Sequence, residues 1–157
     1  YAKIPRSVFC LEQSTVEELR TEFERIFQGD YDTGVYPDEI HWRPGISKDN
    51  VTREVCNGWK ASLKIRQIVC GSELGSLACA LMGWAASRIG QDDILHKPPG
   101  SNAVGFHQDG TYISDNFEQS ASSIDGNNCL TMWIALDDTD PENGALQYVP
   151  KSHKWHA

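Results

Sequence analysis

No apolar run in this sequence approaches the ~20 residues that a membrane-spanning helix needs, and its first residues lack a signal-peptide pattern. Basic residues are scarce. Fourteen Lys and Arg against 22 Asp and Glu leave a formal charge of −8, which argues against a general nucleic-acid binder, because phosphate contacts need clustered cations. Paired cysteine motifs are missing too: the five cysteines (Cys10, Cys56, Cys70, Cys79, Cys129) are odd in number and include no C-x-x-C. They read as buried thiols of a reduced cytoplasmic protein rather than as a disulfide framework. Asn50-Val51-Thr52 has the form of a glycosylation acceptor, discounted in such a compartment. No internal repeat or low-complexity tract appears. What is present is ordinary for a globular chain, 39% hydrophobic and 23% charged over 157 residues, one domain able to bury roughly 70% of its unfolded surface.

The first half reads as helical. Thr15 and Glu18 have capping-box spacing, Val16, Leu19, Phe23, Ile26 and Phe27 recur at helical intervals, and Gly29 closes the segment. Residues 30–50 read as an irregular loop rich in Gly, Pro and Asp. A second helix is predicted over Arg53 to Val69, and a third from Ser72 to near Gly90. At Gln91 the pattern changes to strand and turn, with predicted strands at Asp93–Lys97, Ala103–Asp109, Cys129–Asp137 and Ala145–Pro150. Asn143-Gly144 is a hairpin signal between the last two. Residues 113–128 are polar, small and without period, a loop of a length that is usually functional. Helices first and strands afterwards point to an α+β fold with helices on one face of a sheet.

The chemistry concentrates in Gly105-Phe106-His107-Gln108-Asp109-Gly110. On an extended strand His107 and Asp109 project to the same side. An imidazole beside a carboxylate supplies two of the three ligands of the facial triad that binds non-heme Fe(II). The triplet alone is weak evidence, since it arises by chance and sits harmlessly on many surface strands. Lys97-Pro98-Pro99-Gly100 ends a strand sharply, because proline cannot donate to a ladder. The acidic run from Asp137 to Glu142 does not place its glycine and glutamate where a calcium loop needs them, and reads as turn punctuation.

Taken in order, Lys97-Pro98-Pro99-Gly100, His107-Gln108-Asp109, Trp133-Ile134-Ala135-Leu136-Asp137-Asp138, Asn143-Gly144-Ala145-Leu146 and Val149-Pro150-Lys151-Ser152-His153-Lys154 resemble the phytanoyl-CoA dioxygenase family. The resemblance is strong from about Gln91 to Trp155 and softer before. It implies a double-stranded β-helix, the jelly-roll core of cupins. Residues 1–90 would be the mostly helical part of a single domain and 91–157 the first strands of a core incomplete at its C-terminal end. It implies an Fe(II)- and 2-oxoglutarate-dependent dioxygenase that hydroxylates a small organic or acyl substrate with O₂ and releases succinate and CO₂. By position, His107 and Asp109 match iron ligands and Trp133 matches the wall of the 2-oxoglutarate pocket. Asp93, Leu95 and Lys97 lie on or beside a strand that flanks the cosubstrate. Arg53, Lys60 and Lys64 lie where some relatives send a basic side chain to it, and residues 113–128 are a candidate lid. Halogenating relatives replace the carboxylate ligand by a small residue, so Asp109 favours hydroxylation.

Two departures stand out. The family's Pro-Gly-Ser-His is Pro150-Lys151-Ser152-His153 here, so lysine occupies a glycine turn position and is strained if that turn needs φ > 0. The distal histidine ligand and the arginine that clamps 2-oxoglutarate fall beyond Ala157, so the expectation is a fragment of a genuine oxygenase. His153, His156, His41 and His96 are weaker substitutes; the family's equivalent of His153 is a turn residue. The competing expectation is a non-catalytic β-helix module for binding or assembly.

Overall fold

Alternation in two short segments builds the sheet. In Arg53-Glu54-Val55-Cys56 and Asp93-Ile94-Leu95-His96, every second side chain faces the same way, so Val55 and Ile94 share one face and Cys56 and Asp93 the other. In the computed structural model, which describes residues 1–109, 112, 129–152 and 155, these segments are strands β2 (Arg53–Cys56) and β3 (Asp93–His96). They pair antiparallel, Val55 opposite Ile94 and Cys56 opposite Asp93. A two-residue strand, β1 (Glu39–Ile40), adds to the other edge of β2, giving the order β1-β2-β3. Val55 and Ile94 are almost wholly buried. On their face the Phe27 ring meets Trp42 edge-on at 6.2 Å and lies 6.2 Å from His96.

Helix α1 (Gln13–Phe27) buries Leu19, Ile26 and Phe27. The capping box does not form: Glu12 is the N-cap without a side-chain bond, and Glu18 instead pairs with Lys64. Gly29 ends the helix as expected, with φ +79°. Gly29 N donates to Ile26 O at 2.9 Å and Asp30 N to Arg25 O at 2.9 Å, the paired bonds of a Schellman motif. Arg25 adds ion pairs to Glu22 and Asp30, which hold the Asp30 carboxyl below its usual range.

The helix predicted over Arg53–Val69 is corrected to three elements. After β2, Asn57 turns left-handed at φ +57°, a 3₁₀ turn covers Gly58–Lys60, and α2 runs Leu63–Val69. The break is local chemistry: asparagine tolerates the left-handed region, and buried Ser62 caps α2 by accepting from Ile65 N at 3.3 Å. Ser62 Oγ also donates to Glu22 Oε2 at 2.9 Å, tying α2 to α1. Helix α3 (Ser72–Met82) stops short of Gly90, because Gly83 at φ +69° and the Trp84 N to Cys79 O bond close it. The loop predicted over 30–50 is irregular apart from β1.

The chain divides into two compact units, residues 10–102 and residues 1–9 with 103–157. All helices and strands just named lie in the first. Of the predicted strands only Asp93–Lys97 forms, as β3; the described residues of 103–109, 129–137 and 145–150 are not in strands. Period-two patterning makes a strand only where a partner backbone completes the ladder, and among the described residues none pairs with these segments. The fold shown is therefore α+β with a small open antiparallel sheet. At Asn143-Gly144 the turn forms without flanking strands: Asp140 Oδ1 accepts from Glu142 N and Asn143 N, both at 2.9 Å, and Gly144 takes φ +102°. No helix among the described residues is long and apolar enough to cross a membrane, and all five cysteines are unpaired.

One charge is costly to this fold. Asp92, partly buried, accepts from Trp59 N at 3.1 Å, yet burial raises its carboxyl from the usual 3.8 to about 6. Between about pH 4 and pH 6 the folded chain thus holds a proton that the unfolded chain has released. The stability this supplies is complete below about pH 4 and is lost as pH rises through about 6. Asp92→Asn keeps the acceptor and removes the charge. Urea unfolding followed by tryptophan fluorescence is expected to show the variant more stable than the parent by roughly 1–2 kcal/mol near neutral pH, with the difference vanishing near pH 4.

Candidate functional site

His107 and Asp109 meet, although no strand carries them. His107 Nε2 lies 3.3 Å from Asp109 Oδ1, with both side chains more than half exposed. The other ring nitrogen, Nδ1, lies 2.8 Å from the carbonyl of Gly105. The imidazole is therefore flanked by two acceptors, Gly105 O and Asp109 Oδ1. A neutral ring has one N–H and satisfies one of them. With Nε2–H the ring donates to Asp109 Oδ1; with Nδ1–H donating to Gly105 O, Nε2 turns its lone pair toward the carboxylate side, where a cation could sit between the two. A backbone carbonyl that fixes the tautomer is the usual second partner of a metal-binding histidine. The donor set, one imidazole nitrogen and one carboxylate oxygen, fits Fe(II).

Gln108 points elsewhere and anchors the segment: its Nε2 donates to Ser152 O at 3.0 Å. That carbonyl belongs to a turn in which Ser152 N donates to Val149 O at 3.2 Å and Lys151 takes φ +65°. The lysine in the family's glycine position is thus in the left-handed region.

Among the described residues no third His, Cys or carboxylate joins the pair within 4.8 Å. His153, His156, Gly110 and the candidate lid 113–128 lie outside the described residues. His41 pairs with Glu39 at 2.9 Å, and His96 sits 3.9 Å from Glu24. Trp133 and Tyr112 are both about half exposed.

Of the residues expected beside the cosubstrate, Trp133 lies in the same unit as His107, whereas Asp93, Leu95, Lys97 and the three basic candidates lie in the other. Asp93 and Leu95 share the exposed face of β3, Ile94 and His96 the opposite one, and Lys97 is exposed just past the strand. The three basic candidates all have structural partners. Lys60 Nζ donates to both Asp38 oxygens, at 2.6 and 2.7 Å, which lowers the Asp38 carboxyl. Lys64 pairs with Glu18. The Arg53 guanidinium stacks 4.1 Å over Trp42 and leaves its buried Nε without a hydrogen-bond partner.

The profile of the family described as phytanoyl-CoA dioxygenase (PhyH) matches residues 1–157. The chain belongs to this family. Similar proteins include an ectoine dioxygenase of Nocardia farcinica, 28% identical over 146 residues, which cover 92% of this chain and 45% of the relative. A phytanoyl-CoA dioxygenase of Arabidopsis thaliana is 33% identical over 84 residues, 53% of this chain and 26% of the relative. Dioxygenase cdmD of Talaromyces verruculosus is 37% identical over 65 residues, 41% and 20% of the two chains. The aligned residues thus span less than half the length of these relatives. No solved structure matches significantly. Membership makes this a chain of an oxygenase family, as the ordered motifs implied.

Sequence reading missed a second constellation. Glu39, His41, Glu54, Cys56 and Asp93 gather on the outer face of the sheet; the period-two runs Glu39-Ile40-His41 and Glu54-Val55-Cys56 were its only linear signal. Burial, then a hydrogen bond to Asp93, raises the Cys56 thiol.

Lys151 yields a direct expectation. An L-residue held left-handed costs roughly 1–2 kcal/mol, and glycine gives part of that back through its freer unfolded chain. Lys151→Gly is expected to stabilise the protein by about 0.5–1 kcal/mol, read as a raised thermal midpoint.

Proposed function

We propose that this chain supplies His107 and Asp109 to the iron centre of an Fe(II)- and 2-oxoglutarate-dependent dioxygenase that hydroxylates a small organic or acyl substrate. The observation that carries the reading is the His107–Asp109 contact at 3.3 Å with Nδ1 lying 2.8 Å from Gly105 O. When bound, iron with 2-oxoglutarate and O₂ supplies oxidative chemistry, with succinate and CO₂ as co-products. The chain's own part is to hold donors. Gly105 O would accept from Nδ1–H and leave Nε2 for the metal, Asp109 adds the anionic oxygen, and the Gln108 bond to Ser152 O keeps the segment from turning away. Asp109 as a carboxylate supports hydroxylation rather than halogenation.

Family membership supports a double-stranded β-helix as the setting, and the motif order supports Trp133, Asp93, Leu95 and Lys97 as the cosubstrate's surroundings. The distal histidine and the 2-oxoglutarate-binding arginine belong to the family pattern at positions past this sequence. Ectoine dioxygenase and phytanoyl-CoA dioxygenase differ in the substrates their names give, and fold does not choose between such chemistries.

The test is an anaerobic titration of the metal-free protein, carrying its complete C-terminal region, with Fe(II) and then 2-oxoglutarate. A weak visible metal-to-ligand charge-transfer band is expected, absent from His107→Ala. Failure of the parent protein to give the band would favour the non-catalytic binding module and overturn the oxygenase reading.

A further inference from the structure

The outer face of the sheet carries a second set of donors, remote in sequence from His107. Antiparallel register places Glu39 opposite Cys56 and Cys56 opposite Asp93, so the three form one row across β1, β2 and β3. Residues two apart along each strand join the same face: His41, whose N donates to Glu54 O at 2.9 Å, and Glu54. The Glu39 carboxylate, a His41 ring nitrogen and Cys56 Sγ lie within 4.8 Å of one another, and so do Glu54, Cys56 and Asp93. Cys56 is common to both sets and is buried, whereas Glu39 and His41 are exposed. Three carboxylates crowd this face. Among the described residues, no lysine or arginine forms an ion pair with any of them, and His41 is the sole ion-pair partner, at 2.9 Å from Glu39.

We propose that this face binds a divalent cation of the zinc class through His41, Cys56 and Glu39, with a water from the solvent side as the fourth ligand. The donor types select the ion. Nitrogen, sulfur and oxygen together suit borderline zinc, whereas calcium and magnesium take oxygen alone. The geometry is close to what zinc requires. Tetrahedral bonds of ~2.0–2.3 Å put neighbouring donors roughly 3.3–3.8 Å apart. The donor atoms of Glu39, His41 and Cys56 already lie within 4.8 Å of one another, and side-chain rotation brings them to this spacing with the strand register unchanged. His41 and Glu39 exchange their direct contact for bonds to the ion. Cys56 releases its proton to solvent on binding, and the cation neutralises charge that the face otherwise leaves uncompensated. Entry is open from the solvent side, where Glu39 and His41 stand.

This site is tested in the His107→Ala background, so that the proposed iron ligands do not contribute. Titration with Co(II) is expected to give an intense near-ultraviolet thiolate-to-cobalt band at one equivalent. Zinc, in competition with a chromophoric chelator, is expected to displace the cobalt. His41 is half exposed at the end of β1, so His41→Ala leaves the sheet intact, a point checked by circular dichroism. It is expected to weaken zinc binding by more than about tenfold, and Cys56→Ser to remove the cobalt band. A missing band in the parent background would overturn the proposal. So would zinc affinity within twofold of the parent in His41→Ala, which would assign binding to the exposed thiols instead.

Discussion

Asn57 is the residue on which the rest of the sheet unit depends. It sits at φ +57°, where β2 ends and the 3₁₀ turn begins, and each of its polar groups is used. Its N–H donates to Asp92 O at 2.7 Å, and its Nδ2 to Asp38 Oδ2 at 2.7 Å. Its Oδ1 accepts from Trp59 Nε1 at 3.1 Å. One residue, through its backbone and side chain together, thereby joins the residue before β1, the residue before β3 and the turn leading to α2. A short sheet with a two-residue edge strand has few ladder bonds, and this junction supplies the cross-links it lacks. It also places Gly58 against Ile94, where a Cβ would come within 2.3 Å of the Ile94 side chain. The turn thus falls on Asn57 and the close packing on the glycine that follows it.

Two kinds of information were differently legible in the sequence. Local chemistry read well at the first helix: Gly29 stops it by adopting positive φ, and its apolar spacing marked the buried face, whereas the stop at Gly83 was missed in favour of Gly90. Pairing read poorly. The segment Arg53–Val69 had enough apolar residues at helical spacing to pass for one helix, yet Val55 and Cys56 are claimed by partner strands far away in the chain. The capping box failed for the same reason, because Glu18 was taken by Lys64 from another helix. Strand patterns after Ala103 met no described partner, and the alternation by itself built no ladder.

The candidate site was legible as residues and not as geometry. Motif order singled out His107 and Asp109 and led to the family to which the chain belongs. The sequence could not show that their side chains meet without a strand, or that Gly105 O and Asp109 Oδ1 flank the two ring nitrogens of His107. Nor could it show that Lys151, flagged as a departure from a glycine position, holds the very conformation glycine favours. The outer-face donors were hidden altogether, since Glu39, Cys56 and Asp93 become neighbours only through cross-strand register.

The account turns on His107 and Asp109 acting together on a bound metal. Release of labelled CO₂ from carboxyl-labelled 2-oxoglutarate, assayed in the whole protein with added Fe(II), measures this most directly. The account predicts iron-dependent release that is lost in both His107→Ala and Asp109→Ala while circular dichroism shows each variant folded. Release that persists in both folded variants would contradict it.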